Sequence, residues 1–420
     1  MSLFEETVDE HIAERIVYWM GGPYFALRLR ETSRRCAQLI GAPPRVSDPR
    51  DVARIALMIG DSEKCKKVIT RDVDNMTLLN YVVRIAATYD RRDILEVMFD
   101  EIGDDQFMFE TCAMYVAASN GNRELCKFIL KHLINNADWK CMHPEIRTDP
   151  FARMMMGATY SGRCDLFKLA WKWSEKYANA VPNLNEPIRH AARGGRIEMC
   201  KLARGWVLES GQSIDVEGML CSAAEGNSVN ACKLAREWGA RGYERTLEYA
   251  ARSGDIGMCK IAREWLEDAG PYDARVFRNM LINAAVAQRF ETLRLAYDWW
   301  IAKLGRNLDL DEIDDIVRYV MFSGDAKVCE FLHQTIISGR QDDEETRERM
   351  TAIIDKIMIQ AALYGNVELC ILIHSWGAQN YEMYLTVTRA EDPHLDARSS
   401  APRKTCEKLI EKWMAERNDA

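Results

Sequence analysis

The chain is expected to fold as an all-α, helix-turn-helix repeat solenoid. Three observations predict it. A 19-residue pattern recurs along most of the sequence, each copy has apolar residues at helical spacing on either side of a glycine turn, and the copies return every 30 to 36 residues, with extremes of 27 and 41. Self-similarity at that period marks units that bury their apolar faces only by stacking on one another.

The clearest copy is residues 247–265, LEYAARSGDIGMCKIAREW. Ala250 and Ala251 are small, so a neighbouring helix can come close. Gly254 can adopt the left-handed conformation that ends the first helix. Asp255 is suited to cap the second helix by accepting from its exposed amides. On that helix Met258, Cys259, Ile261, Ala262 and Trp265 share one broad face. Further copies carry Ala191-Ala192 with Gly195, Cys200 and Trp206; Ala223-Ala224 with Asn227, Cys232 and Trp238, the glycine one place early at Gly226; Ala284-Ala285 with Leu293 and Trp299; and Ala361-Ala362 with Gly365, Cys370 and Trp376. Earlier copies centre on Gly60 with Cys65, Ala117-Ala118 with Cys126, and Ala158 with Phe167 and Trp173. Gly324 with Cys329 is weaker, and Ala86-Ala87 with Leu95 lacks the glycine.

The runs AAEGNSVNACKLAREWGA and AALYGNVELCILIHSWGA resemble the ankyrin repeat: paired alanines, a glycine turn, an apolar second helix and a closing Gly-Ala at Gly239-Ala240 and Gly377-Ala378. The Thr-Pro-Leu-His opening of that family is absent, Thr246-Leu247 being the nearest approach. Repeats of this degenerate kind are similar to those of large DNA viruses of amoebae. The resemblance covers roughly residues 50–388 and implies a module that binds other proteins, in the host cytosol if the chain is viral.

Residues 1–42 stand outside the repeat. HIAERIVYWM reads as an amphipathic helix, Gly21-Gly22-Pro23 breaks it, and two short helices follow before Gly41-Ala42-Pro43-Pro44. Three short helices ending in LRLRETSRRCAQLI resemble an F-box, although the usual opening Leu-Pro is missing. That resemblance implies docking to a Skp-type adaptor of cullin ubiquitin ligases, through Ile12, Ile16, Leu27 and Leu39. The other reading of the same helices is a cap that shields the first repeat. Residues 43–388 then carry about ten repeats, interrupted by an insertion near 135–156, and 389–420 form a polar loop and a C-terminal capping helix.

With 420 residues and 48% apolar composition the chain is too long for one ordinary core and too apolar to be disordered. A net charge of −8 argues against a general nucleic-acid binder. The opening MSLFEETVDEHIAER lacks the order of a signal peptide, and no apolar run approaches a membrane span. A cytoplasmic setting is expected.

Thirteen cysteines include no Cys-x-x-Cys pair. Cys65, Cys126, Cys200, Cys232, Cys259, Cys329 and Cys370 share one repeat position, and equivalent positions in stacked helices should lie about 10 Å apart, too far for disulfides. They are expected to be reduced, buried and inert. Cys141 and His143 alone do not make a metal site. No phosphate loop, nucleophile elbow or paired-histidine helix occurs, so neither catalysis, cofactor, metal nor small-molecule substrate is expected. Trp173, Trp206, Trp238, Trp265, Trp299 and Trp376 form a row expected to pack between repeats. Lys66, Lys127, Lys168, Lys201, Lys233, Lys260 and Arg294 form a solvated ridge. The acidic run DLDEIDD at 309–315 and the charged run 341–349 read as solvated helix starts. Tyr243, Tyr272 and Tyr381, in the loops between repeats, are the candidate contacts for a protein partner. Two functions remain: a substrate-recruiting ligase adaptor, or a structural or virion-associated scaffold with no link to ubiquitin.

Overall fold

The computed structural model describes residues 76–101, 106–136, 139, 141–320, 325–337, 344–389 and 400–418. Ile12, Ile16, Leu27, Leu39, Cys65 and Lys66 therefore lie outside the described residues. Among those described, every regular element is helical, and the chain divides into two units at residue 214.

Among the described residues the first unit contains four helix pairs: α1 (Met76–Thr88) with α2 (Arg92–Glu101), α3 (Gln106–Ser119) with α4 (Arg123–Asn135), α6 (Asp149–Ser161) with α7 (Cys164–Trp173), and α8 (Asn185–Arg193) with α9 (Ile197–Glu209). A short α5 (Pro144–Arg147) precedes α6, and a π-helical turn, Ser174–Ala178, extends α7. First helices stand against first helices, in the order α1, α3, α6, α8.

The described residues of the second unit form six pairs: α10 (Val216–Glu225) with α11 (Val229–Glu237), α12 (Tyr243–Ser253) with α13 (Ile256–Ala269), α14 (Arg275–Val286) with α15 (Phe290–Leu304), α16 (Leu310–Val320) with α17 (Ala326–Ile337), α18 (Glu344–Leu363) with α19 (Val367–Ser375), and α20 (Tyr381–Arg389) with α21 (Ser400–Asn418). The same stacking of first helices holds from α10 to α20. The all-α repeat solenoid is thus the fold.

The alanine pairs are why first helices come so close. Ala86-Ala87, Ala117-Ala118, Ala191-Ala192, Ala223-Ala224, Ala250-Ala251 and Ala284-Ala285 are all buried. Gly157 takes the approach further, because a Cβ there would sit 2.3 Å from the Tyr115 carbonyl oxygen.

Among the described residues, eight turns within helix pairs place one residue in the left-handed region, three positions after the second alanine or its equivalent. Gly254 (φ 87°) and Gly121 (φ 68°) do so without a Cβ, but Asp90 (φ 52°), Asn227 (φ 57°) and Gln288 (φ 58°) hold the same place. Asp and Asn take this conformation at little cost, and at Gln288 the turn is closed by backbone bonds from the Gln288 and Arg289 amides to the Ala285 and Ala284 carbonyls at 3.0 and 2.8 Å. In the 253–255 turn Asp255 accepts from the Met258 amide at 2.8 Å, the expected cap. Asn122 and Asn366 cap α4 and α19 in the same way.

Two boundaries differ from those expected. Residues 149–156 belong to α6, so the insertion is shorter, and Trp139 fastens it by burying its ring against Phe107 and Phe151. The C-terminal helix α21 is the second helix of a sixth pair rather than only a cap. Its Cys406 falls 36 residues after Cys370, and Cys406, Ile410 and Trp413 are buried.

Candidate functional site

The loop that leads from α11 into α12 is built from its backbone outward. Glu217 on α10 accepts from the amides of Arg241 and Gly242, both at 2.7 Å, and so pins the following loop. Asp355 on α18 occupies the same repeat position and accepts from the Gln379 amide at 3.1 Å and from the Tyr384 hydroxyl. The Arg241 guanidinium donates to the carbonyls of Arg236 (3.0 Å) and Ala240 (2.8 Å), supplying a cation to the exposed end of α11.

This pinned loop closes one side of a cleft of about 650 Å³ in the second unit. Lys233, Arg236 and Glu237 come from α11, Arg241 and Tyr243 from the loop and the start of α12, and Trp265, Asp268 and Ala269 from α13. Tyr243 and Trp265 are two rings 6.0 Å apart, and the Arg236 guanidinium lies over both, 5.7 Å and 5.2 Å from their centroids. Arg236 also stands 3.7 Å from Asp268. The cleft therefore joins an aromatic base to walls carrying both signs of charge, with Lys233 and Glu237 exposed.

The loop tyrosines do not project as expected. Tyr243 is 3% exposed and Tyr381 7%, because each is the first residue of a helix and turns its ring inward. Tyr243 donates to the Ala240 carbonyl at 3.3 Å, and Tyr381 shares a 2.8 Å hydrogen bond with Nδ1 of His374. Tyr272 is half-buried, edge-on to Phe277 and beneath the Lys303 ammonium. Tyr243 thus meets a visitor only through the cleft.

Trp206, Trp265, Trp299 and Trp376 of the tryptophan row pack between repeats, and their partners form a second row that sequence reasoning missed. Four residues after the cysteine-type position stand Trp171, Arg236, Arg263, His333 and His374. Each covers the tryptophan of the following repeat: Trp171 on Trp206 at 4.7 Å, Arg236 on Trp265, Arg263 on Trp299 at 4.6 Å, His333 on Trp376 and His374 on Trp413, both at 4.1 Å. A cation or flat ring on an aromatic face is favourable, and most when partly desolvated. The shared spacing was visible, but residue types as unlike as Trp, Arg and His conceal a common role.

Burial lowers the pKa of His333 and of His374 below the ordinary histidine value of 6.5. A histidine with a lower folded pKa takes its proton more readily when unfolded. Its stabilising contribution is complete above about pH 6.5 and is lost as pH falls through the folded value. Thermal stability is therefore expected to fall between pH 7 and pH 5, and His333→Phe with His374→Phe, which keep the flat rings, should flatten that slope when melts are recorded across the range.

Charged surfaces behave as solvated faces. Lys127, Lys168, Lys201, Lys233, Lys260 and Arg294 are exposed, and Lys127 and Lys201 pair with Glu124 and Glu198 on their own helices. The acidic run at the start of α16 ties neighbouring helices together: Asp315 with Arg278 of α14, Asp311 with Arg349 and Asp314 with Lys356 of α18. Cys126, Cys200, Cys232, Cys259 and Cys329 are buried, and desolvation pushes each thiol up to about 12. Cys141 and His143 are exposed, and among the described residues no three His, Cys, Asp or Glu side chains gather as a metal site. No described helix is long and apolar enough to cross a membrane.

No protein-family model matches the chain, and no curated protein does. A solved structure similar to it is a circular tandem repeat protein with novel repeat topology and enhanced subunit contact surfaces. It is 16% identical, with 97% of this chain and 91% of that chain covered and a TM-score of 0.19.

Proposed function

We propose that the chain is a non-enzymatic protein-interaction module of ankyrin-like repeats, and that the cleft at Lys233, Arg236, Arg241 and Trp265 receives part of its protein partner. The observation that supports this is the cleft itself. An aromatic base between walls of both signs suits a polypeptide segment, whose side chains offer apolar, cationic and anionic groups together. A nucleic-acid strand would favour a uniformly basic groove.

The finer reading is a substrate-recruiting adaptor of the cytosol, in which residues 1–42 dock a Skp-type adaptor through Ile12, Ile16, Leu27 and Leu39 while the repeats hold the target. It rests on the order of features in that segment, an apolar-striped helix, a Gly-Gly-Pro break and LRLRETSRRCAQLI before a proline stop. The test is affinity purification of the full chain from the native cell, read by mass spectrometry. Ile12→Asp with Ile16→Asp should remove the Skp-type adaptor at least tenfold and leave the melting temperature unchanged. Lys233→Glu with Arg241→Glu should remove the target and leave the adaptor. A wild-type chain that retains no such adaptor ends the ligase reading. Loss of stability in the Ile12 and Ile16 variant would support the capping reading and, with it, a structural or virion-associated scaffold.

A further inference from the structure

Cys370 on α19 and Cys406 on α21 break the rule that equivalent cysteines in stacked repeats stand too far apart to join. Their sulfurs are 3.8 Å apart, and both residues are 0% exposed. Cys232 shows the ordinary case, its thiol donating to the Leu220 carbonyl at 3.9 Å. Two contacts hold α21 in register beside the pair. His374 stacks on Trp413 at 4.1 Å with the rings 5° from parallel, and Arg417 donates to the Gln379 carbonyl at 2.8 Å. A disulfide needs the sulfurs at about 2.05 Å, so an approach of under 2 Å would suffice, within reach of side-chain rotation and a small helix shift.

We propose that Cys370 and Cys406 are a modification site, joined as an intramolecular disulfide by hydrogen peroxide, which locks α21 to α19. The sulfur of Cys406 attacks one peroxide oxygen, the O–O bond breaks, and the thiol proton leaves with the other oxygen as water. Cys370 then displaces hydroxide from the Cys406 sulfenic acid, and its own proton completes a second water. Two thiols lose two electrons in all, and one peroxide gains them. The division of roles follows from the contact: Cys370 donates to Cys406, which raises the Cys370 pKa together with burial and lowers that of Cys406. A small neutral oxidant suits a buried pair, since local opening of α21 admits it where a bulky disulfide is excluded. A covalent tie at this point would close a loop of chain and constrain the last pair of the second unit.

The experiment uses the full chain. Native protein is exposed to hydrogen peroxide, alkylated and digested with trypsin. The expected product is a dithiothreitol-sensitive link between the peptides 357–389 and 405–408, while Cys200, Cys232 and Cys259 remain reduced. In a Cys141→Ser background, which removes an exposed competing thiol, oxidation should raise Tm by several degrees, reversibly, and Cys406→Ala should abolish the rise. The linked peptide is read in the wild-type chain, so the result stands even if a cysteine variant folds poorly. Absence of the link at a peroxide dose that fully oxidises Cys141 overturns the proposal, as does a link formed with no change in Tm.

Discussion

Replacing Gly157 with alanine will destabilise the first unit. The new Cβ would meet the Tyr115 carbonyl oxygen at 2.3 Å, the Ala118 Cβ at 2.9 Å and the Ser119 amide nitrogen at 3.0 Å. Two of these are backbone atoms of α3 and cannot rotate aside, so α6 must move as a body. Overpacking of this kind costs about 1–3 kcal/mol, and this contact belongs at the upper end. Gly205, within α9, is the control, since no atom lies within 4 Å of its added Cβ. There alanine should gain roughly 0.5–1 kcal/mol from helix propensity alone. Thermal melts followed by circular dichroism separate the two. Equal gains at both positions would mean that α3 and α6 are not in contact at Gly157.

Trp265→Ala will remove the base of the cleft and a keystone of the second unit together. The indole is 6% exposed, pairs with Tyr243 and lies under the Arg236 guanidinium. Truncating a buried tryptophan costs about 3–5 kcal/mol. It also removes one of the two aromatic faces from Arg236, which keeps the Tyr243 ring and Asp268 beside it. Trp265→Phe retains a ring and should recover more than half of the loss in a urea titration. A loss below about 1 kcal/mol for the alanine variant would show that the ring is not part of the stacked core.

How much could be read from the residues alone follows from which interactions are local. The repeat, its period, the alanine pairs and the Asp255 cap depend on contacts within a few residues or at a fixed repeat offset, and those leave a pattern. The turns at Asp90, Asn227 and Gln288 were harder, because the left-handed residue is set there by the hairpin and not by glycine. Glu217 and Asp355 leave no local signal, since the amides they hold lie more than twenty residues downstream. The cleft was legible only through Tyr243 and Trp265, and there with the wrong orientation: a loop tyrosine suggests exposure, but this one begins a helix. Cys406 was passed over because the polar segment before it stretches the linker, while the step of 36 from Cys370 keeps the period.

At two junctions the carboxylate that pins the loop also fixes where the chain can be divided. Glu217 sits on the first helix of one pair and holds the backbone that opens the next, and Asp355 does the same across its own junction. The unit of exchange is therefore not the helix pair that the periodicity outlines. It runs from one first helix through the loop beyond its partner helix. A fragment cut directly after α11 would leave Glu217 facing solvent, with its amide donors removed. A cut after Gly242, or a graft that carries a carboxylate at the position of Glu217 together with the loop it grips, keeps the joint whole. Swapping, shortening or lengthening the array at these two junctions is thus a matter of choosing seams in phase with the carboxylates rather than with the helices.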